Sequence, residues 1–344
     1  MSTYLITGVA GFIGSRTAEI LLEEGHTVVG IDNMSGAPDL KMTQSRLSPL
    51  EQFPTFEFQF MDVESESGMQ KLLAKCAPDA VLHLAGKAGV RSSMETPQAY
   101  MATNAMGTLN LLEAMRATGL KKIVFASTSS LYAGHPVPFD ENLPVNSPIS
   151  PYSASKKAAE MMCHAYHHLY QMDVSILRFF TVYGPKGRPD MAIYKFIKSI
   201  VEGTPINLFG DGSQSRDFTF VDDISRGIIA AVGNVGYEVF NLGAGRKPVS
   251  LLEVIHHIEM LTGKKAELVF HPFHEADMDV TWSNVAKSQR VLHWEAKYSL
   301  EEGLKRTIRC FEDSKSRFES QLSPIQNVHH NLFKRLSIER HAKS

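Results

Sequence analysis

The stretch TGVAGFIG, Thr7 to Gly14, limits the fold more than any other part of the chain. Gly8, Gly11 and Gly14 recur every three residues between an apolar run, TYLIT, and a helix-like run, SRTAEILLEEG. Glycine permits a tight strand-to-helix turn, close approach of backbone to a diphosphate and close packing of helix on strand, and the first N–H groups of the helix then face the anion. Glycine-rich turns also occur on surfaces, so the context decides. Asp32 ends the second apolar run, HTVVGID, 18 residues beyond Gly14. A carboxylate at that distance accepts hydrogen bonds from ribose hydroxyls and repels a 2′-phosphate, which selects NAD over NADP.

Further apolar runs, FEFQFMD, AVLHLAG and KIVFAST, follow at intervals filled by helical text such as TLNLLEAMRATG. Alternating strand and helix with nearly continuous apolar strands predicts an α/β fold, a Rossmann doubly wound parallel sheet covered on both faces. Beyond DVSILRFFTVYGP the strands shorten and Pro and Gly become frequent, as expected of a smaller C-terminal α/β substrate domain. The expected division is residues 1–180 for nucleotide binding, 181–313 for substrate, interleaved, and 314–344 as a tail. The apolar strand near residues 237–243 is expected to return to the first sheet.

With 43% apolar and 21% charged residues among 344, the chain has an ordinary globular composition. A formal charge of −2 offers phosphate backbones no general attraction, so nucleic acid is not an expected partner. Cys76, Cys163 and Cys310 lie far apart without metal-ligand spacing, which predicts reduced thiols and no metal. The start of the chain runs straight into a strand and lacks a signal-like or membrane-length apolar segment, so the expected setting is the cytoplasm, away from membranes.

SPYSASKKAAE places Tyr152 and Lys156 four apart just after Pro151, a residue suited to the first turn of a helix, so both side chains share one face. A phenol works as a base near neutrality only where something favours the phenolate, and the Lys156 ammonium and a nicotinamide cation could both do so. His83, inside an apolar strand, reads as a core residue. Asp62, ending the third strand, reads either as an adenine contact or as a turn former.

These motifs, with NAMGTLNLLEA, RFFTVYGPKGRPDMA, SRDFTFVDDI and FNLGAG, resemble the extended short-chain dehydrogenase/reductase family and its nucleotide-sugar members, along nearly the whole chain. The resemblance implies a bound NAD, a UDP-sugar substrate and a homodimer formed through two helices per subunit. It implies that Thr128 works with Tyr152 and Lys156. It also implies that Phe12, Ile13, Asn33, Asp62, Val63, Leu84 and Lys87 join the glycines and Asp32 around the cofactor, and that Arg91 and Arg216 approach phosphates. Gly86 and Lys87 depart from the Ala and uncharged residue usual in the family, as do Glu275, Ala276 and Asn284 further on.

The strand end FASTSSLYAG separates the candidate chemistries. Dehydratases of this family place an acid pair there, since elimination needs a carboxyl acid and a carboxylate base. Here Thr128, Ser129 and Ser130 stand instead, which leaves reversible oxidation at C4 and return of the hydride to the other face. Oxidised at C4, a uronate becomes a β-keto acid that loses carbon dioxide unless its carboxylate is held out of alignment. Thr128, Ser129, Ser130 and Thr181, with Arg188 nearby, are expected to hold it by charge-assisted hydrogen bonds. The stretches DLKMTQSRL, AGVRSSMETPQAY and RFFTVYGPKGRPDMA resemble UDP-glucuronate 4-epimerases. A 4-epimerase of UDP-glucose or UDP-N-acetylglucosamine, a UDP-glucuronate decarboxylase, or a non-catalytic nucleotide sensor are the alternatives.

Overall fold

A computed structural model describes residues 1–35, 40–273 and 277–315. The expected tail beyond residue 315, and Glu275 and Ala276, lie outside the described residues. The strands in chain order are β1 Thr3–Thr7, β2 Thr27–Asp32, β3 Phe56–Phe60, β4 Ala80–His83, β5 Lys122–Thr128, β6 Asp173–Phe179, β7 Thr181–Tyr183, β8 Ile206–Phe209, β9 Ser215–Arg216, β10 Phe218–Phe220, β11 Tyr237–Leu242, β12 Val249–Ser250 and β13 Leu268–His271.

Seven of them form one sheet in the order β3-β2-β1-β4-β5-β6-β11, with every neighbouring pair parallel. Two-sided burial explains the apolar runs: all of β5 is buried, with Ile123 and Phe125 on one face and Val124 on the other. The first face packs against Met69, Leu72, Leu111, Met115, Ala159 and Cys163 from helices Glu66–Cys76, Gly107–Thr118 and Pro151–Tyr170. The second packs against helices Phe12–Glu23 and Val221–Ala230, and against Leu292 and Trp294. Strand β11 is the seventh strand, Phe240 and Leu242 pointing into this second core.

A third apolar cluster joins helices Ala192–Glu202 and Leu251–Thr262 to the helical residues 300–315 and to the parallel pairs β7–β10 and β8–β13. It forms the smaller lobe. Strand order reverses between β1 and β4, so the C-terminal strand ends diverge there and open a crevice. His83, the last residue of β4, is fully buried between the hydroxyls of Thr7 and Thr108 at 2.7 and 3.0 Å, and burial pulls its pKa down to about 3. It is a neutral core histidine.

Candidate active site

The glycine turn follows β1 into the crevice. Gly8 has φ +73°, and a Cβ there would meet the Ala85 backbone at 2.7 Å, while a Cβ on Gly14 would overlap the Gly8 carbonyl. The first glycine therefore supplies the turn and the third the close helix approach. Asp32 accepts from the Ala10 N–H at 3.0 Å and the Met34 N–H at 2.7 Å, which tie it to this turn. Burial raises its pKa, opposed by those N–H groups.

One groove is lined by Gly8, Gly11, Phe12, Ile13, Gly14, Asp32, Asn33, Val63, Leu84 and Lys87, each a sequence-derived cofactor candidate. The shape suits a dinucleotide: a turn whose three glycines let a diphosphate approach the backbone, with the Asp32 carboxylate beside it. Asp62 is not in the lining. It accepts a 2.6 Å hydrogen bond from Asn33 and so orients a residue that is.

The catalytic candidates come together at the ends of β5 and β7. Helix Pro151–Tyr170 begins where it does because Ser150 caps it in a reciprocal box with Ser153, with Pro151 at the first position. Its first turns present Tyr152 and Lys156 to the cavity that Thr128, Ser129, Ser130, Thr181 and Arg188 also line. Lys156 is 4% exposed, donates to the Ala126 carbonyl at 2.9 Å and lies 5.0 Å above the Phe125 ring. Desolvation draws its pKa down to about 8. Burial raises the Tyr152 pKa, while the Thr128 hydroxyl and the Arg188 charge hold it down.

The hydroxyls differ in their duties. Thr128 caps the turn Ser129–Tyr132, accepting the Ser130 N–H at 3.1 Å and donating to the Ser130 hydroxyl at 3.1 Å. Loop capping therefore falls to Thr128 rather than to the serines. Ser129 is buried at the cavity wall and its hydroxyl pairs with no described residue. Arg188 lines this cavity and the cofactor groove, held by the Ala88 carbonyl at 3.0 Å and by Asp190 at 2.6 and 3.0 Å. Among the described residues, no carboxylate side chain lines the cavity that holds Tyr152.

An adjoining pocket in the smaller lobe is lined by Arg91, Arg216, Asn207, Phe209, Asp277 and Thr181. Arg91 pairs with Asp277 at 2.6 Å and lies 4.2 Å over the Phe209 ring. Among the described residues Arg216 donates to the Ser215 and Asp279 carbonyls, at 3.0 and 3.2 Å, and not to Asp211 or Asp217. Burial pulls its pKa down, partly offset by Asp277 and Asp279, which leaves a desolvated fork available to an anion. Asn284 bonds Asp140 at 3.2 Å and lines none of these cavities.

Several residues near the site lack a local sequence signal. Glu160, one turn beyond Lys156, is buried against Arg178 at 2.8 and 3.0 Å and accepts from Ser127 at 2.6 Å. Arg178 continues to the Tyr132 hydroxyl at 2.9 Å, and Tyr132 to Asn241 at 2.8 Å. This chain of bonds fixes β5, β6, β11 and helix Pro151–Tyr170 together. Thr43 and Arg46 line the cofactor groove from helix Leu40–Leu47. Only the folded chain brings them to the glycine turn.

Comparison with known proteins gives the same picture. A UDP-glucuronate 4-epimerase of Thermodesulfobacterium geofontis is 50% identical over 314 residues, covering 91% of this chain and 97% of that protein. The crystal structure of a Bacillus cereus UDP-glucuronic acid 4-epimerase with UDP-glucuronic acid and NAD superposes with a TM-score of 0.86 at 37% identity, over 90% of this chain and 99% of that one. A Thermotoga maritima UDP-glucose 4-epimerase with UDP-glucose superposes at 0.83 with 32% identity, over 91% and 99%. Residues 4–243 match the model of the NAD dependent epimerase/dehydratase family. With its glycine turn, ribose-end carboxylate and Tyr–Lys pair on one parallel sheet, the chain belongs to that family.

Proposed function

We propose that the protein is a UDP-glucuronate 4-epimerase that retains NAD, interconverting UDP-glucuronate and UDP-galacturonate through a 4-keto intermediate. The observation that carries this reading is the cavity around Tyr152: hydroxyls and a guanidinium on its wall and, among the described residues, no carboxylate side chain. An acid pair for dehydration has no place there, and a uronate carboxylate entering it meets donors rather than like charge. The similarity to UDP-glucuronate 4-epimerases supports the same substrate.

NAD, when bound, supplies the acceptor and later donor of the C4 hydride. Tyr152 takes the C4 hydroxyl proton and returns it, Lys156 favours the phenolate, and the Thr128 hydroxyl shares the phenol's hydrogen bonding. Ser129, Ser130 and Thr181 hold the carboxylate, with Arg188 as the electrostatic restraint. Turning the keto sugar over while its carboxylate stays pinned keeps the carboxyl bond out of line with the carbonyl π system. Arg216 takes the UDP diphosphate, and Arg91, already paired with Asp277, lines the same pocket.

The test incubates purified protein with UDP-glucuronate, UDP-glucose and UDP-N-acetylglucosamine separately and identifies products. UDP-galacturonate is expected from the first; turnover of neutral sugars alone overturns the substrate. Ser129→Ala with Ser130→Ala is expected to raise a UDP-pentose by-product, and an unchanged product ratio removes the carboxylate role of the serines. The reading includes a cytoplasmic homodimer. Three unpaired cysteines suit a reducing compartment, and exposed Met94, Met101, Met106, Met161, Met162 and Leu169 lie on the segments 90–106 and 151–170. Light scattering giving a monomer mass removes the dimer. Among the described residues no helix is long and apolar enough to cross a membrane.

A further inference from the structure

Arg46 is 5% exposed, yet each oxygen its guanidinium bonds is a neutral carbonyl. It donates to Lys186 at 2.7 and 3.1 Å and reaches the Ala10 carbonyl at 3.5 Å. Its charge therefore sits between the glycine turn and the loop that leads to Arg188, Lys186 lying 140 residues beyond Arg46 in sequence. A desolvated cation held, among the described residues, by carbonyl dipoles alone is costly until a counter-charge arrives. Arg188 repels it, and Asp32 and Asp190 attract it from beyond contact distance.

One turn earlier on the same helix, Thr43 is 2% exposed and its hydroxyl is buried without a partner among the described residues. A spacing of three puts both side chains on one face, and both line the groove formed by the glycine turn and Asp32. A buried hydroxyl unpaired among the described residues, beside a buried cation that bonds no carboxylate among them, in one groove, describes a polar site for an occupant. The shared chemistry is a diphosphate with its adjoining ribose.

We infer that Arg46 and Thr43 form a clamp for the diphosphate half of the dinucleotide, Arg46 supplying the counter-charge and Thr43 the hydrogen bond. Because Arg46 also bonds Lys186, the clamp ties the loop 184–190 over the turn and slows escape of the cofactor. This rests on the reading of NAD as the resident cofactor. A second source of the same chemistry is the diphosphate of the sugar nucleotide, and the experiment separates the two.

Purified wild type, Arg46→Met and Thr43→Val are dialysed at length and denatured, and released NAD per chain is counted. Stripped protein is then titrated calorimetrically with NAD and, separately, with UDP-glucuronate. Hydrogen bonds to charged groups predict NAD binding weakened by ~10-fold or more in Arg46→Met and by less in Thr43→Val. Both variants should keep less NAD than wild type, with UDP-glucuronate affinity unchanged. Wild-type NAD content and affinity in both variants, or weakened UDP-glucuronate binding with NAD unaltered, overturns the clamp. Thr43→Val removes a hydroxyl that bonds nothing in the described protein, so it decides the matter even where Arg46→Met fails to fold. A wild type that neither retains nor binds NAD would instead overturn the proposed function.

Discussion

Two buried lysines, Lys122 and Lys156, stand near opposite ends of β5. Lys122, at the first residue of the strand, donates to Asp173 at 2.5 Å, to the Ser175 hydroxyl at 2.9 Å and to the Gly233 carbonyl at 2.7 Å. All three of its N–H donors have partners. Lys156, at the other end, has one acceptor, the Ala126 carbonyl at 2.9 Å, and an aromatic ring at 5.0 Å. Desolvation lowers the pKa of both, but only Lys122 has an adjacent carboxylate hydrogen-bonded to it. The satisfied ammonium ties strands together. The other, among the described residues, keeps donors unpaired at the strand ends where the sheet opens.

The comparison breaks most sharply at the phenol that shares a cavity with Lys156. Tyr152→Phe is expected to cut kcat by ~10²–10⁴-fold while NAD content and melting temperature stay near wild type; retention of more than a tenth of the activity would remove Tyr152 as the proton carrier. Lys156→Met is expected to cut kcat by a similar order. Lys122→Met should do the opposite, costing about 3 kcal/mol of stability by leaving Asp173 unpaired, with kcat per folded molecule unchanged. Urea titration and single-turnover assays of both variants decide it.

Linkage gives a smaller and more specific signature. The Lys156 pKa is about 8 in the folded protein against the ordinary lysine value of 10.5, so between those values the unfolded chain binds more protons than the folded one. Stability of NAD-free protein therefore rises with pH across that window, and below pH 8 the full penalty of burying the ammonium remains. Wild type should gain on the order of 1–3 kcal/mol relative to Lys156→Met between pH 7.5 and 10. Parallel stability curves for the two proteins would contradict it.

The smallest effect belongs to Gly86, where a Cβ would lie 2.8 Å from Lys156 Nζ and 3.0 Å from Asn104 Oδ1. The ammonium is the free end of a flexible chain and can give way. Gly86→Ala should lower kcat by less than the ~100-fold that a 1 Å misplacement can cost, and a larger loss would mean that Lys156 has no room to move.

Local chemistry accounts for how much could be read in advance. The glycine turn, the strand runs and Asp32 were legible because each is a short-range requirement: φ +73° at Gly8, two-sided burial of β5, a carboxylate at a strand end. Tyr152 and Lys156 were legible because helical periodicity alone puts them on one face. Which hydroxyl caps the strand end was not legible. Thr128, Ser129 and Ser130 share a chemistry and differ only in where β5 stops, and the fold gives the cap to Thr128 and leaves Ser129 at the cavity. Asp62 likewise could face an adenine or a turn, and it accepts from the Asn33 amide and the Glu64 N–H beside the groove.

By itself, then, the sequence determined the parallel sheet, its nucleotide turn and the Tyr–Lys helix, since each follows from contacts within a few residues or from the period of apolar positions. Tertiary structure alone decided what surrounds them. Arg46 meets the Lys186 carbonyl, Arg178 meets Glu160, and Arg188 spans two cavities through contacts made across 140, 18 and 100 residues of chain. Such pairs leave no periodic trace, because a buried charge is satisfied by whichever dipole or partner the packed chain brings within 3 Å, however far away in sequence it began.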